Sequence, residues 1–298
     1  MAAGRWRTFD ITPARLGQPS SPFLDFPDLA VSSNMLYMTT NAFQGDSWSS
    51  TIIVRLPLAG IRTGSVTAQF SISTDNFNFR VAQETGRRAY WASHQNTSTL
   101  RIFSWDEAAG GPTFRDVRVA SWEGGSYRST TPDGFNWLGR ADPRIVGATK
   151  VGSHLYFAWG ANRGGINDRP APYVQIAKVH ATSFKVLDNI NLWDAGSALA
   201  YPALCSNARR EVGVSYILGG GGRFPSHAVG ILTGTRRDLV AVQGGRGPSR
   251  REWGDYLTVR RLQPGGRLFC ATGYTLQQGA AAADATPDYV VFGRASDV

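Results

Sequence analysis

Two short stretches near the N-terminus carry the reading of this chain: Pro27-Asp28-Leu29-Ala30-Val31 and, after a tight Ser32–Met35 connection, Leu36-Tyr37-Met38-Thr39-Thr40-Asn41. The first is a short apolar strand behind a proline. The second is a strand with an early aromatic, so the pair reads as a hairpin. The same shape recurs. First strands begin at Phe79-Arg80-Val81-Ala82, Pro143-Arg144-Ile145-Val146, Pro202-Ala203-Leu204-Cys205 and Gly254-Asp255-Tyr256-Leu257. Aligned on Asp28, Arg80, Arg144, Ala203 and Asp255, the intervals are 52, 64, 59 and 52 residues. Tyr37, Tyr90, Tyr156 and Phe269 repeat the early aromatic of the second strand. Two further strands follow each hairpin, except in the last unit, where only one remains before the chain ends.

Repeats of about this length, four strands each, predict an all-β fold: a five-bladed β-propeller in one domain. The blades are expected at 24–72, 77–120, 142–192, 200–243 and 254–294. The alternating stretch at 5–11, Arg5-Trp6-Arg7-Thr8-Phe9-Asp10-Ile11, is expected to supply the missing strand and close the last blade. A two-sheet sandwich is the alternative architecture. WD40 repeats fit worse, because the period is longer and no Gly-His partner accompanies Trp105-Asp106.

Composition agrees. The chain has 298 residues with 34 Gly, 15 Pro, 9 Trp, 10 Tyr and 15 Phe, and only 18% charged residues. That many aromatics can fill a core, which argues against disorder. That many glycines and prolines argue against a helical bundle. No apolar run is long enough for a membrane-spanning helix. The net charge is +9, and apart from Lys150, Lys178 and Lys185 every basic side chain is arginine. The arginines are scattered over strand ends instead of clustering on one face, so a nucleic-acid partner is not expected. Cys205 and Cys270 are too few for a disulfide scaffold or a zinc site, and one bridge between them stays open. The four histidines lack metal-ligand spacing, so neither metal nor cofactor is expected. The first residues hold no apolar leader core, which leaves a cytoplasmic protein or one whose leader was removed.

Blade topology sorts the connections. Links from second to third strand, and from blade to blade, share one face, and these are the long ones: Gln44–Ser50, Ser121–Asp142, Ala161–Pro172, Gly219–His227, Gly244–Trp253 and Thr275–Asp288. Long loops on a rigid scaffold are where ligands bind. Trp48, Trp137, Arg163 and Trp253 lie in them, and exposed tryptophan beside charged groups suits sugar stacking. His94 and His227 fall on the same face. The aligned column starts nearest the axis there. Asp28 and Asp255 come from adjacent blades of a closed ring and could act as acid and base. Arg80 and Arg144 could clamp an acidic sugar, or could simply neutralise the two acids and lock the blades. Asp142, Tyr201 and Tyr256, beside the column, complete the candidate ligand-binding set.

Glu252-Trp253-Gly254-Asp255-Tyr256-Leu257, Phe269-Cys270-Ala271-Thr272-Gly273-Tyr274 and Tyr289-Val290-Val291-Phe292-Gly293-Arg294 resemble the last blade of a family of bacterial β-propeller proteins, and Phe26–Ala30 with Leu36–Asn41 resembles its first blade. The architecture is also similar to five-bladed glycoside hydrolases of the arabinanase and invertase-like kind, and in logic to sialidases. The former carry three axial carboxylates. Here Asp28 fits one such position and Asp142 or Asp255 the others, while Arg80 departs from the pattern. Sialidases need three arginines, and only Arg80 and Arg144 align. These likenesses imply a carbohydrate-active propeller, secreted or periplasmic, that takes a glycan or other small polar ligand and cleaves a glycosidic bond with Asp28 and Asp255. The alternative is a non-catalytic lectin-like propeller, or one with a protein partner on the loop-rich face.

Overall fold

The computed structural model describes residues 7–19, 21–233, 236–244, 254, 257–277 and 285–297. The chain is an all-β propeller of five blades, each an antiparallel sheet whose strands follow one another in sequence order. The first blade holds β1 (Phe23–Val31), β2 (Met35–Gln44), β3 (Ser47–Pro57) and β4 (Gln69–Ser73). The second holds β5 (Arg80–Val81), β6 (Arg88–Asn96), β7 (Thr99–Asp106) and β8 (Thr113–Arg118). The third holds β9 (Ile145–Val151), β10 (His154–Ala161), β11 (Tyr173–His180) and β12 (Val186–Leu192). The fourth holds β13 (Ala198–Ser206), β14 (Val212–Gly220), β15 (Arg223–Thr233) and β16 (Arg236–Gly244). Among the described residues the fifth has three strands, β17 (Thr258–Arg261), β18 (Phe269–Leu276) and β19 (Ala285–Phe292).

Successive blades stack face to face because inner and middle strands are apolar on both faces. Tyr37, Trp91, Phe103 and Trp105 fill the space between the first and second blades, where Trp91 and Phe103 stack at 5.4 Å with rings 3° from parallel. Ile102, Phe157, Trp159 and Tyr173 fill the next junction. Ile176, Leu204 and Tyr216 fill the third, and Val229, Val259 and Phe269 the fourth. Arginines serve as clamps within this frame. Arg55 is buried, donates to Gln69 Oε1 and to the carbonyls of Asp106 and Ala109, and lies 4.1 Å from the Trp105 ring centre.

The junction of the last blade with the first is different. No apolar cluster among the described residues joins them. The remaining face of the first blade, with Ala42, Ile52 and Val54, is covered instead by Ile11 and Leu16 of the N-terminal segment and by Ile61 of helix α1 (Leu58–Thr63). Arg7 donates to the Arg62 carbonyl at 2.5 Å. The expected closing strand at 5–11 is therefore corrected. Residues 7–11 form no strand and lie against the first blade, while 5 and 6 fall outside the described residues. Apolar Ile11 is better buried by packing on the exposed side of the first blade than by alternating along the edge of the fifth.

Two expected loops are also corrected. Gln44 pairs with Ser47 and Gly220 with Arg223, so each is a two-residue turn within a longer hairpin. Gly221 and Gly222 take φ of 60° and 86°, which a two-residue hairpin turn requires. The long connection 119–144 is ordered. It buries Trp122, Tyr127, Trp137 and Leu138, and Tyr127 donates to the Gly160 carbonyl at 3.0 Å. The two cysteines are free thiols, on β13 and β18.

Candidate functional site

A repeated backbone kink builds the axial end of the loop-rich face. Phe26, Asn78 and Tyr201 have φ of 53°, 56° and 58°, and each lies two residues before the aligned column, Asp28, Arg80 and Ala203. A non-glycine residue held there costs on the order of 1 kcal/mol or more. In β1 and β13 the kink is a bulge, with register shifts at Asp25/Asp28 and Ala200/Ala203. The third blade makes an analogous turn with a side chain, because Asp142 Oδ1 accepts from the Arg144 backbone N–H at 2.9 Å.

The kink separates two rings of residues. The column itself turns inward. Arg80 and Asp28 form a buried ion pair at 3.1 Å, and Asp28 Oδ2 accepts from the Val81 backbone N–H at 3.3 Å. Both side chains are at most one-tenth exposed. This contact joins the first blade to the second, the arrangement in which the acid is neutralised and the blades are locked. Asp255, Trp253 and Tyr256 lie outside the described residues.

Residues beside the column face the opening. Phe77, Asn78, Ser93, His94, Asp142, Pro143, Arg144 and Ile145 line a cavity of about 210 Å³ between the second and third blades. Its polar floor is stitched in place. Asn78 accepts from Asn41 Nδ2 at 3.3 Å and donates to the Ile145 carbonyl at 3.1 Å, and Ser93 donates to the Phe77 carbonyl at 2.8 Å. Arg144 is held by Asp142 at 2.7 Å, lies 4.9 Å from the Phe26 ring centre and 6.0 Å from that of Phe77. The planar guanidinium thus spans from the third blade to the first.

His94 forms the opposite wall, its ring 4.9 Å from Trp122 and 5.0 Å from Trp159. Both ring nitrogens are buried without a hydrogen-bond partner. Burial pushes its pKa down to about 4, and the Pro143 carbonyl, outside hydrogen-bonding geometry, counters only weakly. The ring is neutral at pH 7, able to donate from one nitrogen and accept at the other.

Aromatic rings continue from the cavity across the first blade. Phe77 is 38% exposed and meets Trp48 edge-on at 5.6 Å and Phe43 at 6.4 Å, while Phe43 stacks on Phe23 at 5.4 Å. Trp48 is half-buried and donates from Nε1 to Thr51 Oγ1 at 3.2 Å.

Other expected positions lie outside the cavity lining. Trp137 is fully buried in the cluster between the fourth and fifth blades, where it packs the long connection and offers no surface to a ligand. Tyr201 is buried beside it. Arg163 is exposed, away from the cavity lining, with its backbone N–H bonded to the Asn162 side chain at 2.9 Å. His227 is fully buried between the last two blades. Its Nε2 lies 2.6 Å from Ser215 Oγ and its Nδ1 2.5 Å from Asp288 Oδ1. That is a serine–histidine–aspartate relay in outline, but Ser215 and His227 are fully buried in the sheet stack, out of reach of a substrate, so it is an interblade hydrogen-bond chain.

Phe26, Phe77, Asn78 and Ser93 are not singled out by the sequence. Only Phe26 carries a signal there, as the residue before the column's proline in Phe26-Pro27, matched by Asp142-Pro143 and Tyr201-Pro202. A pre-proline residue is disfavoured in the right-handed helical region.

No protein-family model matches this sequence, and no curated protein sequence matches it. Solved propellers do match in structure. A sialidase from Trypanosoma rangeli, in complex with 2,3-difluorosialic acid, aligns at TM-score 0.50 and 11% identity over 84% of this chain and 43% of its own. An α-L-arabinofuranosidase from Fusarium graminearum aligns at 0.49 and 10% identity over 91% and 93%. An acylaminoacyl peptidase from Pyrococcus horikoshii aligns at 0.46 and 10% identity over 93% and 40%. The chain spans less than half the length of the peptidase and the sialidase. At these identities the likeness concerns the fold alone.

Proposed function

We propose that this propeller is a glycan-binding protein that seats one sugar unit in the cavity between Phe77, His94 and Arg144. The observation that carries this reading is the composition of the cavity: a half-exposed aromatic face beside a fixed Asp142–Arg144 pair, with the neutral imidazole of His94 in the lining. A ring face stacks on the apolar side of a pyranose, and the adjoining donors and acceptors take its hydroxyls. The volume lies below the roughly 300–1,000 Å³ of drug-sized sites, which suits one small unit with the chain continuing over Trp48 and Phe43.

The reading is one of binding and not of hydrolysis. Asp28, one half of the expected acid–base pair, has its oxygens engaged by Arg80 and the Val81 N–H. The expected preference for an acidic sugar also loses its basis, since Arg80 and Arg144 each already face an aspartate. A neutral ion pair favours hydroxyls over a carboxylate.

The test is a glycan array on the whole chain, calorimetry on the best ligand, and a product assay on the same ligand. Binding without turnover is expected, with Phe77→Ala and Arg144→Gln each weakening it about tenfold or more. Affinity unchanged in both variants, or no glycan bound at millimolar concentration, overturns the assignment.

A further inference from the structure

Where the last, first and second blades meet, an open cleft of about 660 Å³ lies on the face opposite the loop-rich one, with Gln83, Glu84 and Thr85 of the second blade in its lining. The walls from the first and the fifth blade differ in chemistry. On the first-blade side, Leu29 and Val31 are 49% and 51% exposed, although they sit on an innermost strand. Every residue of the corresponding strand β13 is buried, as are residues 145–149 of β9. Alternation explains which face is bare: Asp28 and Ala30 point to the second blade, so Leu29 and Val31 point to the fifth. On the other side the fifth blade turns Val259 to the fourth blade, which leaves Arg260 facing the cleft. Arg261 pairs with Glu84 at 2.7 Å. Arg260 has no ion-pair partner among the described residues, and its one described hydrogen bond goes to the neighbouring Val259 carbonyl at 2.8 Å.

An apolar wall facing a half-buried cation does not close on itself. Burying Leu29 and Val31 against Arg260 would desolvate a charge without pairing it. A ligand that brings both halves of the match resolves the conflict. We propose that this cleft is a second binding site, for an aliphatic monocarboxylate whose hydrocarbon body lies on Leu29, Val31 and Leu36 and whose carboxylate pairs with Arg260. One carboxylate matches the single net positive charge of Arg260, Arg261 and Glu84, in which Glu84 pairs directly with Arg261 and attracts Arg260 from farther off. The cleft volume lies within the range of small-molecule sites, with room for a medium-length chain.

Octanoate is the probe, with 1-octanol as its uncharged counterpart, each titrated against the whole chain by calorimetry or ligand-observed NMR. Octanoate is expected to bind at least about tenfold more tightly than octanol, because a charge-assisted pair is worth about that much. Arg260→Gln is expected to weaken octanoate about tenfold and leave octanol unchanged. Val31→Ser, at an exposed position that bears on no core contact, is expected to weaken both. Glycan binding at the loop-rich face should be unaffected by either variant, which separates this site from that one. The proposal is overturned if octanoate does not bind, if octanol binds equally well, or if folded Arg260→Gln keeps full octanoate affinity. Should Arg260→Gln not fold, unchanged octanoate affinity in Val31→Ser overturns it.

Discussion

His94 makes this protein acid-sensitive in a way one substitution can isolate. Its buried ring titrates near 4 in the folded chain, against about 6.5 when unfolded. Between those values the unfolded state binds a proton that the folded state refuses, so acid favours unfolding. The stabilisation is fully present above about pH 6.5 and is lost as pH falls toward 4. Between about pH 7.5 and pH 5 this one group removes about 2 kcal/mol of folding free energy. The measurement is urea unfolding, followed by tryptophan fluorescence at both pH values, for the native chain and for His94→Phe. Phenylalanine keeps a ring between Trp122 and Trp159 but cannot titrate. The native chain should lose about 2 kcal/mol more than the variant over that interval, with the other ionisable groups cancelling in the difference. Identical pH dependence in the two proteins, or an NMR titration of His94 centred near 6.5, would refute the reasoning.

The buried Ser215–His227–Asp288 chain should behave as a structural latch. His227→Ala leaves a cavity and strands a buried carboxylate, at a cost of about 4 kcal/mol in denaturant unfolding, whereas a loss below about 1 kcal/mol would show that the chain carries no load. Gly273→Ala should destabilise by crowding the same chain, because a methyl group there would sit 2.5 Å from His227 Nδ1. Burial pushes the Cys205 thiol up to about 12, with Glu84 adding to the effect. A thiol reagent near pH 8 should therefore modify half-buried Cys270 in the native protein and reach Cys205 only after denaturant is added, as peptide mapping would reveal.

The fold was legible because its determinants are local and repeated. A strand–turn–strand unit with an early aromatic at Tyr37, Tyr90, Tyr156 and Phe269 needs only alternation and turn chemistry to be seen. The end of the ring is not legible from alternation, which by itself predicts a strand at 5–11. Whether Ile11 finds its partners on the first blade or the fifth is a matter of tertiary packing. The site was half legible. Arg144, Asp142 and His94, candidates from the sequence, line the cavity, but Arg80 of the same aligned column turns away to Asp28, and Asn78, two residues earlier, faces the cavity in its place. A bulge moves a side chain to the other face of a strand, and alignment of the repeats does not register that move. Trp137 was misplaced for a different reason: a tryptophan in a long loop looks exposed until the loop is found to carry its own core.

The distribution of the apolar clusters also changes how the molecule should come apart. A ring whose blades are all equally flanked has no weakest member. Among the described residues the clusters join the five blades in a row, with none between the last and the first. The last is held on one side by the Phe269 cluster and the His227 latch, and by Arg209–Asp297 and Arg294–Glu211 across to the fourth blade. A row with nearest-neighbour coupling loosens from its ends inward. The amides of β17 to β19 should therefore exchange with solvent before those of the third blade, whose faces are covered on both sides.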